Sequence, residues 1–137
     1  MKNTVVTVGR VSVDLYGLEA GASFGGDQTF SKSVGGSPSN VAVAAAKLGN
    51  KTVLLTKVGA DPLGKYIVEK LKSWGVDTTY VSAEPNGLTP VVLAALDPPE
   101  DPKLIFHRQP NAPDTTIDSA SVPQDLIENC GVFWMSG

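Results

Sequence analysis

Cysteine and histidine are almost missing from this chain of 137 residues, which holds one of each, Cys130 and His107. A single thiol cannot close an internal disulfide, and that count fits a reducing compartment. His107 has no Cys or His neighbour at metal-ligand spacing, so the sequence carries no metal signature, and Cys130 reads as packing. Long apolar runs are missing as well. None approaches the roughly 20 residues that span a bilayer, and Met1-Lys2-Asn3-Thr4 leads into a valine-rich stretch without a signal-peptide pattern. Nor is there a basic excess: 11 Lys and Arg stand against 14 Asp and Glu, for a net charge of −3. With no basic stripe, nucleic acid is disfavoured as a partner. What remains is 42% hydrophobic and 18% charged, the composition of a folded domain or part of one. The expectation is a cytoplasmic chain with neither membrane nor nucleic-acid partners.

The hydrophobic pattern alternates between strands and helices. Val5 to Gly9 is a short apolar strand. Val11, Val13 and Leu15 then face one way, while Arg10, Ser12, Asp14 and Tyr16 face the other by the two-residue strand period. Glycines and small residues from Gly17 to Gly26 form a turn region, and Thr29 to Val34 is a further short strand. Ser37 to Leu48 is a helix, with Ser37 as its cap, Pro38 in the first turn, Gly49 as its stop, and a face of Val41, Ala44, Ala45 and Leu48. Val53 to Val58 is a strand. Asp61 caps a second helix that buries the stripe Leu63, Tyr66, Ile67, Leu71 and Trp74 and stops at Gly75. Strand–helix–strand–helix order means a parallel sheet covered by helices, an α/β fold. Eight of the 10 prolines lie between Pro85 and Pro123, which disfavours a regular helical layer there. Thr89 to Leu96 and Leu104 to His107 read instead as a hairpin outside the βα rhythm. A short helix at Ser121–Asn129 and a strand at Val132–Met135 follow, and a sheet that stops on a strand is expected to be a fragment.

Three places attract chemistry. Gly35-Gly36-Ser37-Pro38-Ser39-Asn40 puts two glycines before a helix start, where backbone amides can approach a ligand. The Asn40 carboxamide can donate to one hydroxyl and accept from another. The other reading is a tight turn with Asn40 as an auxiliary cap. Asp14, with Ser12 on the same side, lies where open α/β sheets place ligands and can accept from adjacent hydroxyls, or can tie down loop amides. Arg108 can hold a carboxylate in a bidentate contact, or can be solvated; His107, its strand neighbour, faces the opposite way. Gly59-Ala60-Asp61-Pro62-Leu63-Gly64-Lys65 has P-loop spacing, but Pro62 removes an amide, Asp61 brings negative charge and Tyr66 replaces the Ser or Thr that would hold magnesium. That segment reads as a capped helix start.

Taken together, these residues resemble the ribokinase-like (phosphofructokinase-B) carbohydrate kinases. The likeness rests on Gly35 to Ala42, Leu48-Gly49, Val58 to Gly64, the opening Gly9 to Leu15 and the link Trp74 to Thr78. Within the family, Thr29 to Lys32 and Phe106-His107-Arg108 are most similar to the 5-dehydro-2-deoxygluconokinase branch, then to the 2-keto-3-deoxygluconate kinases. The resemblance implies a three-layer α/β/α fold with a small β-lid from strands at about 16–33 and 89–107. Residues 1–137 would be the N-terminal part of one kinase domain. It implies a small sugar or sugar acid as substrate, ATP and Mg2+ as cofactors, and a homodimer formed through the lid. By position, Ser12, Asp14, Gly35, Gly36 and Asn40 would bind the sugar, and Arg108 its carboxylate. The family's catalytic base, anion hole and most of its nucleotide site belong to a second half not found here. This chain would therefore hold no catalytic residue and be inactive alone. A non-catalytic sugar-binding or dimerisation module is the alternative.

Overall fold

The computed structural model describes residues 3–136. Two four-stranded sheets share the chain. The first is wholly parallel, in the order β5 (Val81–Glu84), β4 (Lys51–Gly59), β1 (Thr4–Gly9), β8 (Val132–Ser136). The second is mixed, in the order β3 (Phe30–Gly35), β2 (Ser12–Gly17), β6 (Val91–Ala95), β7 (Lys103–His107). In it β2 runs parallel to β6, while β3 and β7 flank them antiparallel. The α/β class follows as expected from strands alternating with helices, and the hairpin that broke the rhythm is the β6–β7 half of the second sheet. That sheet begins at Ser12, before the Tyr16 boundary expected for the lid strands.

Helices α1 (Ser37–Lys47) and α2 (Pro62–Ser73) cover one face of the parallel sheet. Alternation along β4 explains the layering. Leu54 and Val58 join Ile67, Leu71, Ala42, Val11 and Val13 in one core, while Val53 and Leu55 join Val6 and Val8 in a second core on the opposite face. The second core is closed by Ile117, Val122, Leu126 and Cys130, around two 3-10 turns (Pro113–Thr116, Ser119–Ser121) and the short helix α3 (Gln124–Glu128). The first core reaches into the second sheet through Val13 and Val34, so α2 is anchored to both sheets.

Two helix details differ from expectation. The cap of α1 is Gly36, not Ser37, and it makes no side-chain cap bond; Ser39 instead donates its hydroxyl back to the carbonyls of Gly35 and Gly36, at 2.7 Å each. The buried face of α1 carries Pro38, Ser39 and Ala42, flanked by Val43 and Ala46, whereas Leu48 is 82% exposed. The two candidate faces carry the same side chains, one valine and two alanines each, so helical spacing did not tell them apart; Leu48 is the C-cap, past the turns that pack on the sheet. Strand β5 escaped the sequence reading because Val81-Ser82-Ala83-Glu84 is a half-exposed edge with little apolar signal.

The α2 stripe is as expected, and Asp61 caps the helix by accepting from the Gly64 amide at 2.8 Å. The same carboxylate accepts from the Thr89 amide at 2.8 Å and the Thr89 hydroxyl at 2.9 Å, while Thr89 accepts from the Gly59 amide at 3.0 Å. This clip ties the start of α2 to the segment entering β6. Burial pushes the Asp61 carboxyl up, but the hydrogen bonds from Thr89 and Gly64 outweigh it and hold the group below its ordinary value. A depressed carboxyl stabilises the fold above its unfolded value and ceases to do so as pH falls through the folded one. Asp61→Asn keeps an oxygen for the Gly64 amide but turns an NH2 toward the Thr89 amide, and losing that bond to a charged acceptor is therefore expected to cost about 1 kcal/mol or more at pH 7. In chemical denaturation followed by circular dichroism, the gap from wild type should close below about pH 4.

Candidate functional site

The pleat of the second sheet builds one wall of a cleft. Residues directly opposite across a ladder share a face, and the register gives two rows on the same side. Ser33, Asp14, Val92 and Phe106 form one, and Ser31, Tyr16, Ala94 and Leu104 the other. Asp14, Tyr16, Val92, Ala94, Leu104 and Phe106 line a cavity of about 180 Å³, closed on the other side by Arg10, Gly36, Ser37 and Asn40 at the start of α1.

Asp14 is the best-held polar group in it. The buried Ser12 hydroxyl donates to Asp14 Oδ1 at 2.8 Å, and the Tyr16 hydroxyl donates to Oδ2 at 3.2 Å. Three alternate residues of one strand thus lie on one face, and two of them orient the third. Partial burial, then the charge of Asp14 and the hydrogen bond to it, raise the Tyr16 phenol above its ordinary value, so it remains a donor at neutral pH. With one donor on each oxygen, the carboxylate still has lone pairs for a ligand's hydroxyls.

The two glycines are there because nothing larger fits. A Cβ on Gly35 would run into the Asp14 carboxylate, and a Cβ on Gly36 would run into the Arg10 carbonyl. Gly36 also has φ 103°, in the region only glycine visits freely. Asn40 sits one turn into α1, exposed to the cleft, and among the described residues its carboxamide forms no hydrogen bond that would make it an auxiliary cap. Ser12, Asp14, Gly35, Gly36 and Asn40 are thus gathered around one cleft, with Ser12 and Gly35 bracing Asp14.

Arg108 is placed differently. Strand β7 ends at His107, and the Arg108 guanidinium is paired with the carboxylate of Asp114, whose side chain is 1% exposed; Arg108 is not among the residues lining the cleft. The arginine that does line it is Arg10, stacked on the Phe106 ring at 5.2 Å from its centroid. Sequence reasoning passed over Arg10 as one more outward residue of a strand. Its position between two strands, beside a glycine pair it packs against, was the signal available.

This constellation can be set beside known proteins. Residues 2–137 match the model of the pfkB family of carbohydrate kinases. The chain belongs to that family. It is 32% identical over 133 residues to a 5-dehydro-2-deoxygluconokinase of Geobacillus kaustophilus, covering 96% of this chain and 39% of that protein. It is 33% identical over 134 residues to a Bacillus anthracis protein of the same name, covering 97% and 40%. Among solved structures, an uncharacterized sugar kinase from Pyrococcus horikoshii in complex with ATP superposes with a TM-score of 0.85 at 27% identity, over 96% of this chain and 42% of that one. The ribokinase-like three-layer architecture is therefore that of sugar kinases, and the chain spans about two-fifths of the length of these relatives.

The loop with P-loop spacing in this pfkB-family chain does not fit a nucleotide's phosphates. Its amides are spent inside the protein: Gly59 on Thr89, Ala60 on the Glu84 carbonyl, Gly64 on the Asp61 carboxylate and Lys65 on the Asp61 carbonyl. A phosphate would meet the Asp61 carboxylate rather than a cradle of donors. Among the described residues, no three His, Cys, Asp or Glu side chains converge as metal ligands, and no helix is long and apolar enough to cross a membrane.

Gly36→Ala is expected to lose at least about 2 kcal/mol of stability from its positive φ, plus the clash with Arg10. A thermal melt within a degree or two of wild type would show that the close approach is dispensable.

Proposed function

We propose that the complete gene product carrying this chain is an ATP-dependent kinase that phosphorylates a sugar or sugar acid at a primary hydroxyl. On this reading residues 1–137 supply the sugar site and the lid. The observation that carries it is the Asp14 carboxylate, oriented by Ser12 and Tyr16 and facing Asn40 across a cleft of sugar size. Asp14 accepts from two adjacent hydroxyls. Asn40 donates to one oxygen and accepts from another, and the backbone at Gly36 and Ser37 comes close enough to complete the set. Binding through several hydroxyls fixes the acceptor oxygen, which is the main demand of phosphoryl transfer. The second sheet acts as the lid that excludes water from the reacting centre.

ATP supplies the phosphoryl group and Mg2+ offsets its charge. Both are held outside the residues described, as are the base and the anion hole, so this chain alone is inactive. The reading places the protein in the cytoplasm, where ATP and small sugars meet. The exposed β7 side chains Leu104, Ile105 and Phe106 (52%, 40% and 52%) favour a homodimer formed through the lid. The relatives' names favour an acid sugar such as 5-dehydro-2-deoxygluconate, with Arg108 as the family's carboxylate ligand. A second reading, a sugar-binding or dimerisation module without catalysis, is favoured by one observation, the loop amides already spent on internal bonds.

The intact mass of the native product separates the two. A mass near 14.3 kDa supports the module, and one about two and a half times that, as coverage of two-fifths of the relatives' length implies, supports the kinase. In the kinase, Asp14→Ala is expected to weaken every sugar by at least about tenfold, the loss of charge-assisted hydrogen bonds. Unchanged affinity removes Asp14 from the site. Arg108→Ala should weaken acid sugars far more than neutral ones; equal losses remove it as a carboxylate ligand.

A further inference from the structure

The cleft holds one basic side chain among its lining residues, and it is Arg10. Hydroxyls need no cation, because Asp14, Asn40 and backbone groups satisfy them. Arg10 is half-buried, and among the described residues its guanidinium forms neither an ion pair nor a side-chain hydrogen bond. Asp14 and Arg108, by contrast, are both engaged: Asp14 by two hydroxyls, and Arg108 by Asp114.

Its placement is firm. The Arg10 carbonyl packs against Gly36, which fixes the backbone, and the Phe106 ring covers one face of the guanidinium. An arginine stacked on an aromatic ring keeps its N–H edge free, and that edge matches the two oxygens of a carboxylate. A half-buried guanidinium without a counter-charge is an unfavourable arrangement that an anionic ligand relieves.

We infer that Arg10 reads charge in this cleft: its guanidinium binds the carboxylate of an acid sugar and sets the preference for acid over neutral sugars. This rests on the cleft being the sugar site proposed above. Arg10 is the arginine that lines the cleft, whereas Arg108 is paired with Asp114 and is not among the lining residues. The phosphoryl group in transfer is the other anion that could reach such a site, so the test is run without nucleotide.

Binding of gluconate and of its neutral counterpart glucitol is measured by calorimetry in the complete gene product, without ATP. Wild type, Arg10→Gln, Arg10→Lys, Phe106→Leu and Arg108→Ala are compared. The expected result is an acid preference of about tenfold or more in wild type, the scale of one charge-assisted contact. Read as the ratio of gluconate to glucitol affinity, it should fall at least severalfold in Arg10→Gln, survive in part in Arg10→Lys and shrink in Phe106→Leu. Arg10→Lys and Phe106→Leu decide the matter if Arg10→Gln does not fold. Two results overturn the inference: an acid preference that Arg10→Gln leaves intact, or equal losses for both ligands. An effect of Arg10→Gln confined to phosphoryl transfer overturns it as well and assigns Arg10 to the phosphate. If wild type binds neither ligand, the sugar-site reading itself fails. If it binds both without preference, the Arg10 inference fails alone.

Discussion

The close approach of Gly35-Gly36 to the stretch from Arg10 to Asp14 is the contact on which the rest of the site depends. Strand β3 pairs with β2 down to Gly35 opposite Ser12, and the next residue, Gly36, is already the cap of α1. No spacer lies between sheet and helix. The Asp14 carboxylate can lie over Gly35, and the Arg10 backbone over Gly36, only because neither glycine has a side chain. Asp14 and Asn40, on different elements, are therefore held by one short piece of backbone rather than by a long loop, which is how a binding geometry is kept within a fraction of an ångström.

The pleat does the sorting. The row Ser33–Asp14–Val92–Phe106 faces the cleft, and the neighbouring row, with Val34, Val13 and Val91, faces the core. A slip of one residue in β2 would drive Asp14 into the core that holds Ile67 and Leu71 and expose Val13 instead. Burial of Val13 thus specifies where Asp14 points. Core packing and site geometry are two faces of the same register.

Much of this was legible in the residues, and the parts that were not have physical causes. The alternation of Val11, Val13 and Leu15 against Ser12, Asp14 and Tyr16 is local, and it gave the right face for each. The helices were visible from Pro38, Asp61, Gly49 and Gly75. The buried face of α1 was not, because Val41, Ala44 and Ala45 on one face and Ala42, Val43 and Ala46 on another give the same local signal. The cap was misplaced as well: Ser37 has the preferred side chain, but the positive φ of Gly36 ends the strand and starts the helix in one step. Arg10 escaped because its partner Phe106 is 96 positions away along the chain and meets it only after the second sheet has formed. Arg108 shows the reverse. The strand period puts it on the cleft side after Phe106, yet β7 stops at His107 and a buried carboxylate further along the chain takes its guanidinium.

The loop from Gly59 to Lys65 shows how the same spacing serves opposite chemistry. In a phosphate loop the amides stay free so that an anion can collect them. Here the anion is built in: Asp61 collects the Gly64 amide and the amide and hydroxyl of Thr89, and so closes the start of α2 onto the chain entering β6. Because Thr89 lies only two residues before β6, the clip fixes one end of the strand that carries Val92 and Ala94 in the cleft wall. The clip on one side and the Gly35-Gly36 contact on the other hold β6 and β2 against the helical layer at the same end of the parallel sheet. At the far end of β6 the Leu96 carbonyl accepts from the Gly21 amide at 2.7 Å, which ties the start of the β6–β7 connection to the turn after β2.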